Sequence, residues 1–307
     1  MPHLFSVVLA AFGLMFGSAH AKETEMVMLP RPVESGQVEV NGLSYHYQIY
    51  GEGQPLLLLH GGLGTIEMFS PILPVMSENR RVIAVDLHGH GRTELGDRSV
   101  DLVDMGRDLG LLVEALGYEQ VDVMGYSMGG GVAAQMAVQG PERVRRLVLV
   151  STPAAKDGFY PDIVAQMHEI GGDTAEFMRN TPMYESYAAV APKVEDFPKL
   201  LGAMGEMVRR PDAYALEVEQ LTMPVLLIYG DADMFRLEHV VEFYKRLGGG
   251  RGDAGWMREN MPRNRLAILP DLTHYEIFMS PLMAKTALSF LDGMDNRPVW
   301  SGQKQGQ

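Results

Sequence analysis

Ser127 is the side chain in this sequence best placed to act as a nucleophile. It stands in the stretch Gly-Tyr-Ser-Met-Gly at residues 125–129, between the apolar run 121–124 and a segment rich in glycine and alanine. An apolar run, a tight turn and a helix-forming segment in this order predict a nucleophile elbow, which lifts the serine hydroxyl above the edge of a sheet. Gly125 and Gly129 have no Cβ atoms, so the chain can pack closely around a strained serine. The predicted chemistry is nucleophilic attack by a serine hydroxyl that a neighbouring base activates.

Two glycine-rich segments precede this motif in the chain. Residues 60–65 read His-Gly-Gly-Leu-Gly-Thr, and residues 86–93 read Asp-Leu-His-Gly-His-Gly-Arg-Thr; each follows an apolar run. In this order, ahead of the serine motif, they resemble the α/β-hydrolase superfamily, and the resemblance extends over about residues 36–292. It implies an α/β fold, with a doubly wound, mostly parallel eight-stranded sheet and a small helical cap insertion. It also implies a serine hydrolase.

The resemblance further implies a catalytic triad whose acid and base follow Ser127 in the chain. Two acids, Asp231 and Asp233, lie just after an apolar run, and the family pattern G-x-x-D selects Asp233. His274 lies in a loop after the last apolar run and resembles the family's late histidine, which precedes the final helix. In the implied mechanism His274 takes the proton of the Ser127 hydroxyl, and Asp233 orients the imidazole.

Acyl transfer also requires two N–H groups aimed at the oxygen on which negative charge develops. One is expected from Met128, which follows the nucleophile. By resemblance the other comes from Gly62, with Leu63 as the alternative. This mechanism calls for no cofactor and no metal ion. Four polar residues are expected to brace the surrounding loops by hydrogen bonding: His60, Asp86, His88 and Arg92.

The order of apolar runs and amphipathic segments predicts the organisation of the chain. Strands and helices alternate, which is typical of a doubly wound sheet. The strand pattern stops after residue 150, so residues 151–221 are predicted to form the helical cap between two parts of the core, 36–150 and 222–292. Residues 293–307 are predicted to be a flexible tail. Six methionines at the cap either fill its core or line an apolar pocket: Met167, Met178, Met183, Met204, Met207 and Met223.

Composition and the N-terminus restrict the cell compartment and the partners. The 307 residues carry a formal charge of −13 and include no cysteine, which excludes disulfides and a cysteine nucleophile and disfavours nucleic acid as a partner. Residues 4–16 are apolar and Ala-His-Ala follows at 19–21, which predicts a signal peptide cleaved after Ala21 and export to the periplasm or beyond. The run is too short to cross a bilayer, so no stable membrane span is expected after processing. The alternative is an uncleaved apolar helix, because no Lys or Arg precedes the run.

The sequence leaves several functions open. A small-molecule carboxylic ester is the favoured substrate, and lactone hydrolysis, carbon–carbon bond hydrolysis and a proline iminopeptidase-like activity are alternatives. Iminopeptidases of this family hold a free amine with acidic cap residues, for which the chain offers Glu176, Glu185, Glu195 and Glu206. Epoxide hydrolases and dehalogenases of this fold need aspartate where Ser127 stands. From a different class, a non-catalytic ligand-binding protein is expected to lack a triad residue. Acyl size and oligomeric state stay open.

Overall fold

The structure, a computed structural model, describes residues 29–293. The predicted signal peptide, residues 1–21, lies outside the described residues, and so does the predicted tail beyond its first residue. None of the helices within 29–293 is long and apolar enough to cross a membrane.

A single sheet organises the described part of the chain. Its eight strands are β1 (Glu34–Val40), β2 (Leu43–Tyr50), β3 (Gln54–Leu59), β4 (Arg80–Val85), β5 (Val121–Tyr126), β6 (Val144–Val150), β7 (Val225–Ala232) and β8 (Arg265–Thr273). They lie in the order β1-β2-β4-β3-β5-β6-β7-β8. The strand β2 pairs antiparallel with β1 and with β4, and every other neighbouring pair is parallel. The predicted mostly parallel, eight-stranded sheet is confirmed.

Helices connect the parallel strands, as the alternating pattern predicted. Within residues 29–293 they are α1 (Leu73–Met76), α2 (Leu102–Ala115), α3 (Met128–Gln139), α4 (Pro161–His168), α5 (Ala175–Met178), α6 (Pro182–Val190), α7 (Phe197–Arg209), α8 (Leu237–Arg246) and α9 (Pro281–Leu291). Short 3-10 helices occupy Ile66–Phe69, Pro141–Arg143, Lys156–Gly158, Gly172–Thr174, Val194–Asp196, Val218–Gln220 and Ile277–Met279.

The central strand β3 shows why the sheet is covered on both faces. Its residues Leu56, Leu57, Leu58 and Leu59 are fully buried. Since successive side chains of a strand point to opposite faces, Leu57 and Leu59 join the apolar cluster under α2 and α3, and Leu56 and Leu58 join the cluster under α1 and α9. Each buried leucine contributes about 1.5–3 kcal/mol through the hydrophobic effect. The unbroken apolar runs therefore specify a parallel sheet between two helical layers.

Helices α4 to α7 all lie between β6 and β7, and we call residues 151–224 the helical insertion. Its longest helix, α7, buries residues at helical spacing, among them Leu200, Met204 and Val208. The insertion packs on loops at the carboxyl ends of the parallel strands: the Ser186 hydroxyl lies 3.1 Å from that of Thr65, in the loop after β3. The insertion therefore stands at the sheet edge where ligands bind in open α/β folds.

Candidate active site

The strand, turn and helix predicted around Ser127 are present. Ser127 follows the last residue of β5 and precedes the first of α3, with φ 53° and ψ −120°. Such a conformation costs free energy for any residue with a Cβ atom, and it persists because the neighbours enforce it. A Cβ atom on Gly125 would lie 2.2 Å from the carbonyl oxygen of Gly129, and one on Gly129 would lie 2.3 Å from that of His60. Only glycine therefore allows the turn to close at these two positions.

Ser127, His274 and Asp233 form one hydrogen-bonded chain. The Nε2 atom of His274 lies 3.1 Å from the Ser127 Oγ atom, and its Nδ1 atom lies 3.0 Å from Oδ1 of Asp233. The side chains of His274 and Asp233 are only 6% and 3% exposed. The Asp233 carboxylate accepts the Nδ1–H proton, which leaves Nε2 free to accept the serine proton. The structure thus brings together the three residues that the sequence singled out, although Ser127 and His274 lie more than 140 positions apart in the chain.

The structure also separates the two candidate acids. The Asp233 Oδ1 atom accepts a 2.8 Å hydrogen bond from the backbone N–H of Met234, in addition to that from the imidazole. Asp231 is exposed, and its carboxylate accepts a longer bond, 3.4 Å, from the backbone N–H of Leu272. Asp231 therefore braces β7 against β8 outside the constellation.

Ser151 is a site residue that the sequence analysis missed. It follows the last residue of β6, is fully buried, and donates its hydroxyl to Oδ2 of Asp233 at 2.5 Å. Its φ of 48° lies in the left-handed region, which a residue other than glycine seldom adopts. The signal in the sequence is its position at the carboxyl end of a predicted parallel strand, whereas the end of the strand pattern at residue 150 places Ser151 at the start of the predicted cap.

Tyr126, the last residue of β5, contacts both the backbone and the ring of His274. Its hydroxyl donates to the His274 carbonyl oxygen at 2.7 Å, and the two rings lie 5.2 Å apart between centroids. Burial raises the pKa of the Tyr126 phenol well above 10, so the phenol stays protonated and acts as a donor. Phe235 closes another side, its ring 5.6 Å from that of His274 in an edge-on arrangement. Backbone and ring of the histidine are thus both fixed.

The loop that carries Gly62 lies beside the start of α3, where Met128 stands. A Cβ atom on Gly62 would lie 3.7 Å from the Met128 Sδ atom and 3.0 Å from the Met204 Cε atom of α7. Within residues 29–293, the backbone N–H groups of Gly62 and Met128 donate no hydrogen bond. The same holds for Leu63, whose φ is 57°. An oxyanion hole requires backbone N–H groups beside the nucleophile that donate to no other group of the protein.

His60 supports this loop, as the sequence predicted. Its Nε2 atom accepts a 3.0 Å bond from the backbone N–H of Leu87, so the proton is on Nδ1, which donates to the Gly61 carbonyl oxygen at 2.7 Å. Burial lowers the pKa of His60 to about 4, so the ring is neutral at pH 7. Asp86 accepts from the backbone N–H groups of Ile66 at 2.9 Å and Arg92 at 3.0 Å. These bonds tie the loops after β3 and β4 together.

Two further site types are a metal site and an amine pocket formed by acidic residues of the insertion. Among residues 29–293, no three His, Asp or Glu side chains are grouped so that they could hold a metal ion. The acidic residues considered for an amine pocket are all exposed on the insertion: Glu176, Glu185, Glu195 and Glu206. Exposed carboxylates are solvated, so they do not form a buried pocket for a substrate amine.

Comparison with known proteins gives consistent matches. The family model described as alpha/beta hydrolase fold matches residues 54–181, which include Ser127 but neither Asp233 nor His274. A soluble epoxide hydrolase from Corynebacterium sp. is 37% identical over 114 residues, which are 37% of this chain and 40% of that protein. The chain thus spans about two fifths of the length of the first curated relatives it matches.

Two matches cover more of the chain. A pimeloyl-[acyl-carrier protein] methyl ester esterase from Nitrosomonas europaea is 27% identical over 259 residues, or 78% of this chain and 95% of the esterase. The crystal structure of an enol-lactonase from Burkholderia xenovorans superposes with a TM-score of 0.63 at 22% identity, over 83% of this chain and 99% of the lactonase. The family model, the sheet order and these matches show that the chain has the α/β-hydrolase fold.

Proposed function

We propose that this protein is a serine hydrolase that cleaves a small-molecule carboxylic ester through an acyl-enzyme. The observation that carries the proposal is the continuous hydrogen-bonded chain from Ser127 through His274 to Asp233. This chain lies at the carboxyl ends of parallel strands, beside the backbone N–H groups of Gly62 and Met128, which donate no hydrogen bond within the described residues. The esterase relative, matched over nearly its whole length, supports an ester as the bond that is cleaved.

Each group has one role in the proposed reaction. The Ser127 Oγ atom attacks the ester carbonyl carbon while His274 Nε2 takes the serine proton. The N–H groups of Gly62 and Met128 donate to the carbonyl oxygen as it becomes negative. When the tetrahedral intermediate collapses, the carbon–oxygen bond to the leaving alkoxide breaks, and His274 returns its proton to that oxygen. Asp233 stabilises the imidazolium through both barriers.

Deacylation repeats the sequence with water as the nucleophile. The His274 Nε2 atom takes a proton from water, and the hydroxide oxygen attacks the acyl carbon. The bond to Ser127 Oγ then breaks, the serine oxygen regains the proton from His274, and the carboxylic acid leaves.

The surroundings favour an uncharged acyl group. The side chains nearest the Gly62 loop are those of Met128 and Met204, which are flexible and apolar, and both are only 6% exposed. We propose that the helical insertion acts as the cap of the site, with Met204 of α7 lying over the acyl position. A buried apolar lining disfavours a charged acyl group because no partner would compensate its desolvation.

The test uses purified protein with p-nitrophenyl esters of increasing acyl length and a fluorophosphonate label. We expect hydrolysis and covalent labelling by the parent and by Ser35→Ala, a control at an exposed serine. Loss of Ser127, His274 or Asp233 should lower turnover by about 10³-fold or more. An unchanged rate in Ser127→Ala would refute the assignment. If a folded parent is labelled but hydrolyses no ester, lactones and carbon–carbon bond substrates become the alternatives, and without labelling the ligand-binding alternative is favoured.

We also propose export, which rests on residues 1–21 alone. The apolar run and the small residues before Lys22 support cleavage after Ala21. Mass spectrometry of the periplasmic protein of a bacterial host should find an N-terminus at Lys22. Ala21→Phe should accumulate as a precursor, because the position before the cleavage site requires a small residue. A chain that keeps Met1 and stays in the cytoplasm would refute export.

A further inference from the structure

A groove of about 480 Å³ lies at the edge of the sheet opposite Ser127. It is formed by the amino ends of β6, β7 and β8 and by the last turns of α9, whereas Ser127 follows the carboxyl end of β5. Apolar residues contribute much of its lining: Pro224, Leu226, Leu266, Ala267 and Phe290. The volume is within the range of small-molecule sites in proteins, about 300–1,000 Å³.

Three arginines, Arg146, Arg263 and Arg265, line the same groove, and no carboxylate does. Within the described residues none of the three forms an ion pair. Their neighbours Arg80 and Arg145 share the buried carboxylate of Asp122, and Arg80 also pairs with Asp292. A chain with a formal charge of −13 thus places three arginines without an ion pair to a described residue around one apolar depression.

The three guanidinium groups are held in place by backbone carbonyl groups. Arg146 donates from Nη1 to the Phe290 carbonyl oxygen at 3.1 Å, and its guanidinium carbon lies 6.0 Å from the Phe290 ring centroid. Arg263 donates from Nη2 to the Met223 carbonyl oxygen at 3.3 Å, and Arg265 from Nη1 to that of Asn264 at 3.2 Å. Each guanidinium has five N–H donors, so most of them stay available to a ligand. Because these bonds already restrict the side chains, ligand binding costs less conformational entropy.

The local field favours an anion. Burial, together with the nearby charges of Arg145 and Arg80, lowers the pKa of Arg146. A bound anion would offset this like-charge repulsion. A carboxylate fits such a site, because its two oxygens match the fork of a guanidinium group.

We propose that this groove is a second ligand site, which binds a medium-chain carboxylate with its head on the arginines and its chain on the apolar lining. The proposal does not depend on the catalytic assignment. A free amphipathic acid matches both the arginines and the apolar lining of the groove. The arginines alone would suit an anion without a chain, and the apolar lining alone would suit an uncharged ligand.

The test is a calorimetric titration of the full Ser127→Ala chain with three probes. Decanoate should bind, whereas acetate, which lacks the chain, and 1-decanol, which lacks the charge, should each bind at least about tenfold more weakly. In Arg146→Gln/Arg265→Gln the dissociation constant for decanoate should rise by about tenfold or more. Arg107→Gln, a matched change at an exposed arginine of α2, should leave it unchanged. The double variant should unfold at about the same urea concentration as the parent, which shows that a loss of decanoate binding is not a loss of folding.

Three results would overturn the proposal. One is no decanoate binding to the folded parent, and another is equal binding by the parent and the double variant. The third is arginine-dependent sedimentation with phosphatidylglycerol vesicles without binding of free decanoate, which would make the groove a contact with an anionic membrane surface.

Discussion

The interaction between Ser151 and Asp233 allows the sharpest test of the proposed site. Ser151→Ala removes the hydroxyl that donates to Asp233 Oδ2 and changes neither the Cβ atom nor the charge. The other donor to Oδ2 is the backbone N–H of Gly230, at 3.4 Å, a long hydrogen bond. The substitution therefore leaves a buried carboxylate oxygen with much weaker support.

The expected magnitude follows from the energy of a hydrogen bond to a charged group, about 1.5–3 kcal/mol. If the whole loss falls on the transition state, kcat/KM decreases by about 10- to 150-fold, since about 1.4 kcal/mol corresponds to a factor of ten. A less well solvated carboxylate attracts the imidazolium more strongly, so the acidic limb of the kcat/KM profile should move to higher pH.

A second variant separates this positioning role from a structural one. Ser151→Gly also removes the hydroxyl but relieves the strain of a φ near 48°. It should be about 1–2 kcal/mol more stable than Ser151→Ala in denaturant unfolding. Both variants should show the same loss of kcat/KM and the same pH shift with a p-nitrophenyl ester. Equal kcat/KM for Ser151→Ala and the parent, with coincident acidic limbs, would refute the reasoning.

Three further predictions test other parts of the structure. Met204→Ala should shift the preference among p-nitrophenyl acetate, butyrate and octanoate towards longer chains. The reason is that it removes the Cε atom that lies 3.0 Å from the Cβ position of Gly62. Met204→Leu is the volume-matched control, and unchanged kcat/KM ratios in Met204→Ala would contradict a role in acyl size. Asp233→Asn should lower kcat by about 10⁴-fold, as a wrong histidine tautomer does in triad enzymes, whereas Asp231→Asn should stay near the parent rate; a reversed order would show that the acid is misassigned. Burial lowers the pKa of His60 to about 4 and that of His90 to about 3, so between these values and 6.5 the unfolded chain binds protons that the folded chain does not. The free energy of unfolding should therefore fall as the pH drops below 6.5, by about 2 kcal/mol for each histidine at pH 5. Urea unfolding at pH 7 and pH 5 measures this difference, and His90→Gln should lose less free energy of unfolding between the two pH values than the parent. An equal free energy of unfolding at both pH values would contradict the burial of both rings.

The sequence by itself predicted the strands of the sheet and proposed Ser127 as the nucleophile, because both inferences depend on local rules. The sequence predicts a helix over residues 128–139 and a strand over 144–150, and α3 and β6 have these bounds because glycine, proline or an abrupt end of an apolar run delimits each. The strained turn at Ser127 was predictable because Gly125 and Gly129 are part of the motif itself. The chain order of acid and histidine came from the family resemblance.

Only the tertiary structure decided which distant groups meet. Asp231 and Asp233 lie two positions apart, so a strand periodicity of two puts them on one face and cannot distinguish them. A register shift between Gly230 and Ala232 at the β7–β8 pairing accompanies the turn that brings Asp233 to His274. Ser151 reaches Asp233 across 82 residues.

The groove at the opposite edge arises in the same way. Arg146 lies far from Arg263 and Arg265 in the chain, and parallel pairing of β6 with β7 and of β7 with β8 brings them together. Periodicity gives the face on which a side chain lies, but the neighbour it meets depends on strand order and register. These are set by long-range packing of the whole sheet and have no local signal in the sequence.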